Sequence, residues 1–267
     1  MSILSDRQIM ERCMTPSHML RVDDKWVPVI AGVTHTQEQI DNWVSRGYSR
    51  LNAIKLPVQL DEYNWKPMIS PFVPEAVRYI PRGKSHVAQA EDFGVNVLLQ
   101  EMQKIISYGL SSYGYDIRIK AEGIKLFNGP ADGIIDPMRP YDDQLTDPEI
   151  LFDEEFGLHY FILPPNSVAL AHTVEYFRVP RDILITCLGK STYARVGISQ
   201  IVTPLEPEWE GELVLEIASM IGRAARVYLG TGIAQLLFMK ADEVCRTSYK
   251  DKGGKYMHQT GTQLARL

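Results

Sequence analysis

Gly211-Glu212-Leu213-Val214-Leu215-Glu216-Ile217 is the stretch on which the reading of the fold turns. Side chains of a strand alternate between its faces. Leu213, Leu215 and Ile217 therefore take one face, and Glu212, Val214 and Glu216 the other. Runs of the same kind surround it, short and bounded by Gly, Pro, Asn and Asp. They are Tyr115–Ile119, Tyr160–Leu163, Ser167–Arg178, Ile183–Leu188, Ala225–Leu229 and Gly232–Met239. Many short strands with frequent turns predict an all-β barrel or sandwich over about 107–245.

Toward the amino terminus the pattern changes. Ser5 with Gln8 three positions on reads as a capping box for a short helix carrying Ile9, Met10 and Cys13. Thr36 and Gln39 repeat that signature before Ile40, Trp43 and Val44, with Gly47 as a stop. Val95, Leu98, Leu99, Met102 and Ile106 recur at helical spacing, which predicts a third helix over about Ala90–Ile106. Trp26, Trp43 and Trp65 lie in the same region and imply a packed layer. The expected organisation is a helical N-terminal segment over 1–104, a β core over 105–246 and a tail over 247–267. The tail holds Gly253-Gly254-Lys255-Tyr256 and Gln259-Thr260-Gly261. Its glycines allow a hinge, and its lysines, tyrosines and glutamine offer donors and stacking surfaces. A lid over phosphates and a mobile terminus both fit that composition.

The chain has 267 residues, 45% of them hydrophobic and 23% charged, enough for an ordinary buried core. A net charge of −5 argues against a general nucleic-acid binder, whose footprint is a basic domain. No apolar run is long enough to span a bilayer, and no signal peptide is evident. Cys13, Cys187 and Cys245 are scattered and odd in number, so no disulfide framework is expected and the cytoplasm is the expected compartment.

Gly189-Lys190-Ser191-Thr192-Tyr193-Ala194-Arg195 concentrates phosphate-binding chemistry. Arg offers a planar fork, Lys a point charge, and the hydroxyls neutral donors. A basic, solvated turn has the same composition. A P-loop is excluded, because its first Gly would fall at Leu184. Glu216 is a candidate general base, a role that needs partial desolvation and a nearby water; an exposed strand Glu that only solubilises fits the alternation as well. Gln235 interrupts Ile233-Ala234-Gln235-Leu236-Leu237 and needs partners, either in a neighbouring loop or on a bound base. No C-x-x-C and no zinc-deaminase signature occurs. Asp136, Asp142 and Asp143 read as a solvated acidic loop.

Taken together and in order, six motifs are more telling than any one of them. They are Ser111-Ser112-Tyr113-Gly114-Tyr115-Asp116-Ile117-Arg118, Pro164-Pro165-Asn166-Ser167, Gly189–Gly197, Thr203–Gly211, Gly232-Ile233-Ala234-Gln235, and Gly254-Lys255-Tyr256 with Gln259-Thr260-Gly261. This set closely resembles the dCTP deaminase family of the dUTPase-like superfamily, over about 105–267 with the short pieces Ser2–Cys13 and Met68–Phe72. The resemblance implies a mainly β, distorted, jelly-roll-like barrel with helical N-terminal additions. It implies a homotrimer with active sites between subunits, and hydrolytic deamination of dCTP to dUTP and ammonia without zinc. Glu216 would be the general acid/base, with Ser191 and Arg195 as further catalytic positions. Substrate contacts would come from Lys190, Ser191, Thr192, Tyr193, Ala194 and Arg195, from Val202, Thr203 and Glu206, from Val214, Leu215 and Glu216, and from Gln235, Tyr249, Lys255 and Gln259. Mg²⁺ would arrive with the triphosphate, and dTTP is an expected feedback ligand. No nucleic acid or membrane partner is implied.

The chain departs from the family pattern in places. Residues about 14–66 and 79–103 read as insertions. Ala218-Ser219 stands where the family often has Ser-Asn, and Thr231 where it often has Glu. A 5-substituted dCTP, a second dUTP diphosphatase step and a non-catalytic nucleotide sensor therefore stay open beside deamination of dCTP. The tail lacks the Phe of typical dUTPases, which favours deamination.

Overall fold

The computed structural model describes residues 1–13, 18–22, 25–30, 58–59, 67–81, 102–127, 134–139 and 142–266. In chain order the elements begin with β1 (Ser2–Ile3), α1 (Asp6–Cys13), β2 (His18–Val22), β3 (Lys25–Ile30), β4 (Val58–Gln59), β5 (Ile69–Ser70) and β6 (Ala76–Pro81). Next come β7 (Met102–Ser111), β8 (Gly114–Arg118), β9 (Lys125–Phe127), β10 (Leu145–Thr146), β11 (Leu151–Asp153), β12 (Leu158–Leu163) and β13 (Val168–Arg178). The last are β14 (Ile183–Gly189), α2 (Ser191–Ala194), β15 (Ile198–Ile201), β16 (Glu210–Ser219), β17 (Ala225–Tyr228) and β18 (Gly232–Lys240).

The fold is mainly β, as the alternation predicts. One sheet runs β1-β18-β8-β7-β6 with β14 also on β18, and a second runs β10-β9-β13-β16-β15 with β5 also on β13. Two three-stranded sheets, β11-β12-β17 and β2-β3-β4, complete the set. Among the described residues these sheets stay open and do not close into one barrel. Between them lies a core that includes Tyr115, Ile117, Phe161, Phe177, Ile185, Leu215, Ile217 and Phe238. In β16 the residues Leu213, Leu215 and Ile217 are buried and Val214 and Glu216 only partly so, which is the expected alternation.

β13 breaks its register with β16 between His172 and Tyr176. Within this irregular stretch Glu175 keeps step with Ala171, Thr173 and Phe177 on the core face of β13 and is fully buried. Arg118 answers it, donating from Nε to Oε1 at 2.8 Å and from the backbone to Oε2 at 3.1 Å. The Thr173 hydroxyl closes the bulge, donating to Glu175 O at 2.6 Å and accepting from Leu213 N–H at 2.9 Å. A buried charge survives only with its oxygens satisfied, and here both are.

The amino-terminal helix forms where its caps predict. Ser5 N–H donates to Gln8 Oε1 at 3.0 Å, and Ile9 and Cys13 face the core. The candidate helix at Thr36–Gly47 lies outside the described residues. The candidate at Ala90–Ile106 is overturned where it is described, because Met102–Ile106 belongs to β7, paired with β6 along Tyr79–Pro81. Pairing on the edge of a sheet overrides a helical spacing there. Ahead of residue 105, α1 is the one helix among the described residues. β1, β5 and β6 hydrogen-bond into the two large sheets. No helix among the described residues is long and apolar enough to cross a membrane.

Candidate active site

β16 positions Glu216 between two neighbours, since Leu170 of β13 and Ile201 of β15 stand directly opposite it. All three line one cavity of about 1250 Å³. Two further segments bring polar and aromatic groups to its wall. The loop after β15 contributes Val202, Thr203 and Glu206, and the tail contributes Tyr249, Lys255, Tyr256 and Gln259. Burial raises the Glu216 carboxyl above its ordinary value. Among the described residues no cation pairs with it. Its charge also reaches Cys187: burial, and then Glu216, push that thiol up to about 12. A carboxylate in a cavity with a raised pKa is suited to accept and return protons.

The tail is docked along its length. Gln259 forms a parallel bridge with Gly211, and Trp209 Nε1 donates to Tyr256 O at 2.9 Å. Tyr256 N–H donates to the Tyr249 hydroxyl at 3.0 Å. A Cβ at Gly254 would stand 2.1 Å from the Tyr249 ring, so the close turn needs glycine. Lys255 donates to Arg266 O and lies 5.2 Å from the Tyr256 ring centroid. Glu206 is engaged by Lys252 at 2.5 Å.

The residues singled out from sequence fall into two groups. Glu216, Val202, Thr203, Glu206, Val214, Tyr249, Lys255 and Gln259 share the cavity. Lys190, Ser191, Thr192, Tyr193, Ala194, Arg195, Leu215 and Gln235 do not line it. Leu215 is fully buried in the core. Ser191, Thr192, Ala194 and Arg195 are exposed on and after α2, while Tyr193 is buried with its hydroxyl accepting from Tyr228 N–H at 3.0 Å. Lys190 Nζ donates to Asp116 Oδ2 at 2.5 Å, and Gln235 Nε2 donates to Ser111 Oγ at 3.1 Å. These two pairs lie beside one another, because Gln235 and Asp116 are register partners.

Ser219 and Thr231, the two departures from the family pattern, do not line the cavity either. Ser219 is buried and donates to Ile221 O at 3.3 Å. Thr231 is fully buried, with its hydroxyl 3.5 Å from Tyr228 O. Cavity residues missed from sequence include Leu170, Ile201, Trp209 and Tyr256. Trp209 and Tyr256 sit inside quoted motifs, Glu208-Trp209-Glu210 and Gly254-Lys255-Tyr256, and that adjacency was the available signal. Among the described residues no group of three His, Cys, Asp or Glu side chains is placed to hold a metal ion.

A mainly β scaffold in which β16 carries a carboxylate, without a cation partner among the described residues, into a cavity under a docked tail defines a class of small-molecule enzyme sites. A family model described as dCTP deaminase-like matches residues 90–241. The chain belongs to that family. It is 48% identical over 199 residues to a dCTP deaminase of Xanthomonas oryzae pv. oryzae, covering 74% of this chain and 90% of the relative. It is 53% identical over 166 residues to a dCTP deaminase of Acinetobacter baylyi, covering 61% and 81%. A solved 2'-deoxycytidine 5'-triphosphate deaminase from Agrobacterium tumefaciens aligns at TM-score 0.35 and 18% identity, over 49% of this chain and 40% of that one. The EIAV dUTPase aligns at TM-score 0.30 and 18% identity, over 33% and 73%. Structural likenesses of that extent are too slight to bear on the chemistry of the site.

Proposed function

We propose that this protein is a dCTP deaminase that converts dCTP and water to dUTP and ammonia. The observation that carries the chemistry is Glu216, a carboxylate raised by burial, unpaired among the described residues and set in the cavity wall. In this reading Glu216 takes a proton from water as the oxygen bonds to C4 of cytosine. The C4–N3 double bond becomes single, and Glu216 delivers that proton to N3. Glu216 then takes the proton of the C4 hydroxyl and passes it to the 4-amino group, so that the C4–N bond breaks, ammonia leaves and the C4 carbonyl forms. The carboxylate performs the proton transfers, without zinc.

The triphosphate needs cations that the cavity of one chain holds only in part. Lys255 lines it, whereas Lys190 and Arg195 do not. The reading is completed by a homotrimer in which the exposed Ser191, Thr192 and Arg195 of one subunit meet the cavity of the next. Magnesium is then held by phosphate oxygens and travels with the nucleotide. dTTP, sharing the triphosphate and deoxyribose, is the expected feedback ligand.

Incubation with Mg²⁺ and, separately, dCTP, CTP, dCMP and 5-methyl-dCTP, with products separated by chromatography, tests the assignment. dUTP and ammonia from dCTP are expected. dUMP with pyrophosphate would mark a diphosphatase, and no turnover of any nucleotide would overturn the enzyme reading.

A further inference from the structure

The tail crosses β16 at Glu212, four residues before Glu216 on the same strand. Glu212 N–H donates to Gln259 O at 2.9 Å, and Gln259 Nε2 donates to Glu212 O at 2.8 Å. The side chain adds two charge-assisted bonds. Gly261 N–H donates to Oε2 at 2.7 Å, and Lys120 Nζ donates to Oε1 at 2.7 Å. Behind them His172 is buried, with Nε2 3.7 Å from Glu212 Oε2 and Nδ1 3.0 Å from Thr262 Oγ1. Glu212 is only 9% exposed, so these bonds are partly shielded from water and salt, although the Lys120 side chain keeps 28% of its surface exposed.

A second anchor holds the front of the tail. Arg181 donates to Glu208 and Asp251 at 2.6 Å each, and to the carbonyls of Cys245 and Arg246. That anchor is more open to solvent, with Arg181 and Asp251 side chains 35% and 41% exposed. Exposed ion pairs contribute little, whereas shielded charge-assisted bonds contribute more. Between the anchors lie Lys255 and Tyr256, which line the cavity, and the glycines that let the segment bend. Glu212 itself does not line the cavity.

We propose that Glu212 is a positioning residue, which with Lys120 and His172 latches Gln259–Thr262 and so holds the tail closed over the Glu216 cavity. For the identity of the substrate this rests on the deaminase reading; the latch itself does not. A strap that grips the nucleotide alike in ground state and transition state changes KM and spares kcat.

The test uses the full-length protein with Glu212→Gln, Lys120→Met and Thr262→Val. Steady-state kinetics with dCTP are paired with amide hydrogen exchange over 259–262. The expected result for Glu212→Gln is a KM raised about ten-fold with kcat within about two-fold. Exchange at Gly261 should accelerate by a similar factor, and Lys120→Met should show the same pattern more weakly. Folded variants with unchanged exchange would overturn the latch. Faster exchange with unchanged KM, or a collapse of kcat at constant KM, would overturn the positioning role. If Glu212→Gln does not fold, Lys120→Met decides by the same readings. If the parent protein leaves dCTP untouched, the deaminase reading fails, and the exchange measurement still decides the latch.

Discussion

Glu175 and Glu216 occupy adjacent, hydrogen-bonded strands and are put to opposite uses. Glu175 is fully buried, and Arg118 caps both its oxygens. Glu216 is half-buried, has no cation beside it among the described residues, and faces a cavity. Burial drives both carboxyls upward, but only Glu175 has a guanidinium to oppose it. A paired buried carboxylate fixes the β13 bulge. An unpaired one at a cavity stays free to trade protons. Alternation separates the two cases: Glu175 follows Thr173 and Phe177 onto the core face of β13, whereas Glu216 stands opposite Leu170 on the other face.

The largest expected effect tests the unpaired member. Glu216→Gln should lower kcat by roughly 10²–10⁴, while nucleotide binding by calorimetry persists. The same change should raise thermal stability. A carboxyl whose folded pKa is raised contributes stability that is present below its unfolded value and lost as pH rises through the folded value. The gain should therefore be greater at pH 8 than at pH 4, by scanning calorimetry. The activity of the parent protein should fall in acid at a pH above the ordinary glutamate value.

Arg118→Met tests the paired member. It leaves Glu175 buried without its cation and should cost about 3–5 kcal/mol by urea denaturation. Adding Glu175→Leu should recover most of that loss. A small cost for the single variant would show that the pair is not what holds the bulge.

Glu212 stands between the two extremes, and its pH behaviour sharpens the contrast. Burial raises its carboxyl, but the Lys120 bond, the Gly261 amide and the Lys120 charge together bring it below the ordinary value. Burial lowers His172, against the opposing pull of Glu212; Lys120 lowers it further and Glu122 raises it. For both groups the contribution is present above the unfolded value and lost as pH falls through the folded one. The protection factor at Gly261, corrected for the intrinsic pH dependence of exchange, should therefore fall in acid, first below the ordinary histidine value as the lowered His172 group takes up a proton, then further below the ordinary glutamate range. The smallest effect concerns Gln200, buried against Gly189 with neither amide atom bonded among the described residues. Gln200→Met should stabilise by about 1 kcal/mol, read from the denaturation midpoint.

Much of this was legible in the sequence. The alternation of β16 and the caps of α1 are local patterns, and the structure carries them as read. What escaped was set by distant chain. β1 and β5 span two residues each, too short to show a period. Met102 and Ile106 kept a helical spacing, yet the start of β7 lies along β6. Glu212 shared a face with Glu216 in the alternation, but nothing local could announce that the tail would cover it. The distance of Ser191–Arg195 from the Glu216 cavity was invisible for the same reason, since order along the chain does not give position across a sheet.

Trp209 gives the docked tail an optical consequence. Its indole is buried, lines the cavity and donates to Tyr256 O, so its surroundings depend on the tail being down. Lifting the tail would wet the ring and shift its emission to the red. Difference spectra between the parent and Trp209→Phe would isolate that signal from Trp26, Trp43 and Trp65. The molecule thus carries its own fluorophore at the hinge of access, and opening can be timed in solution without attaching a dye.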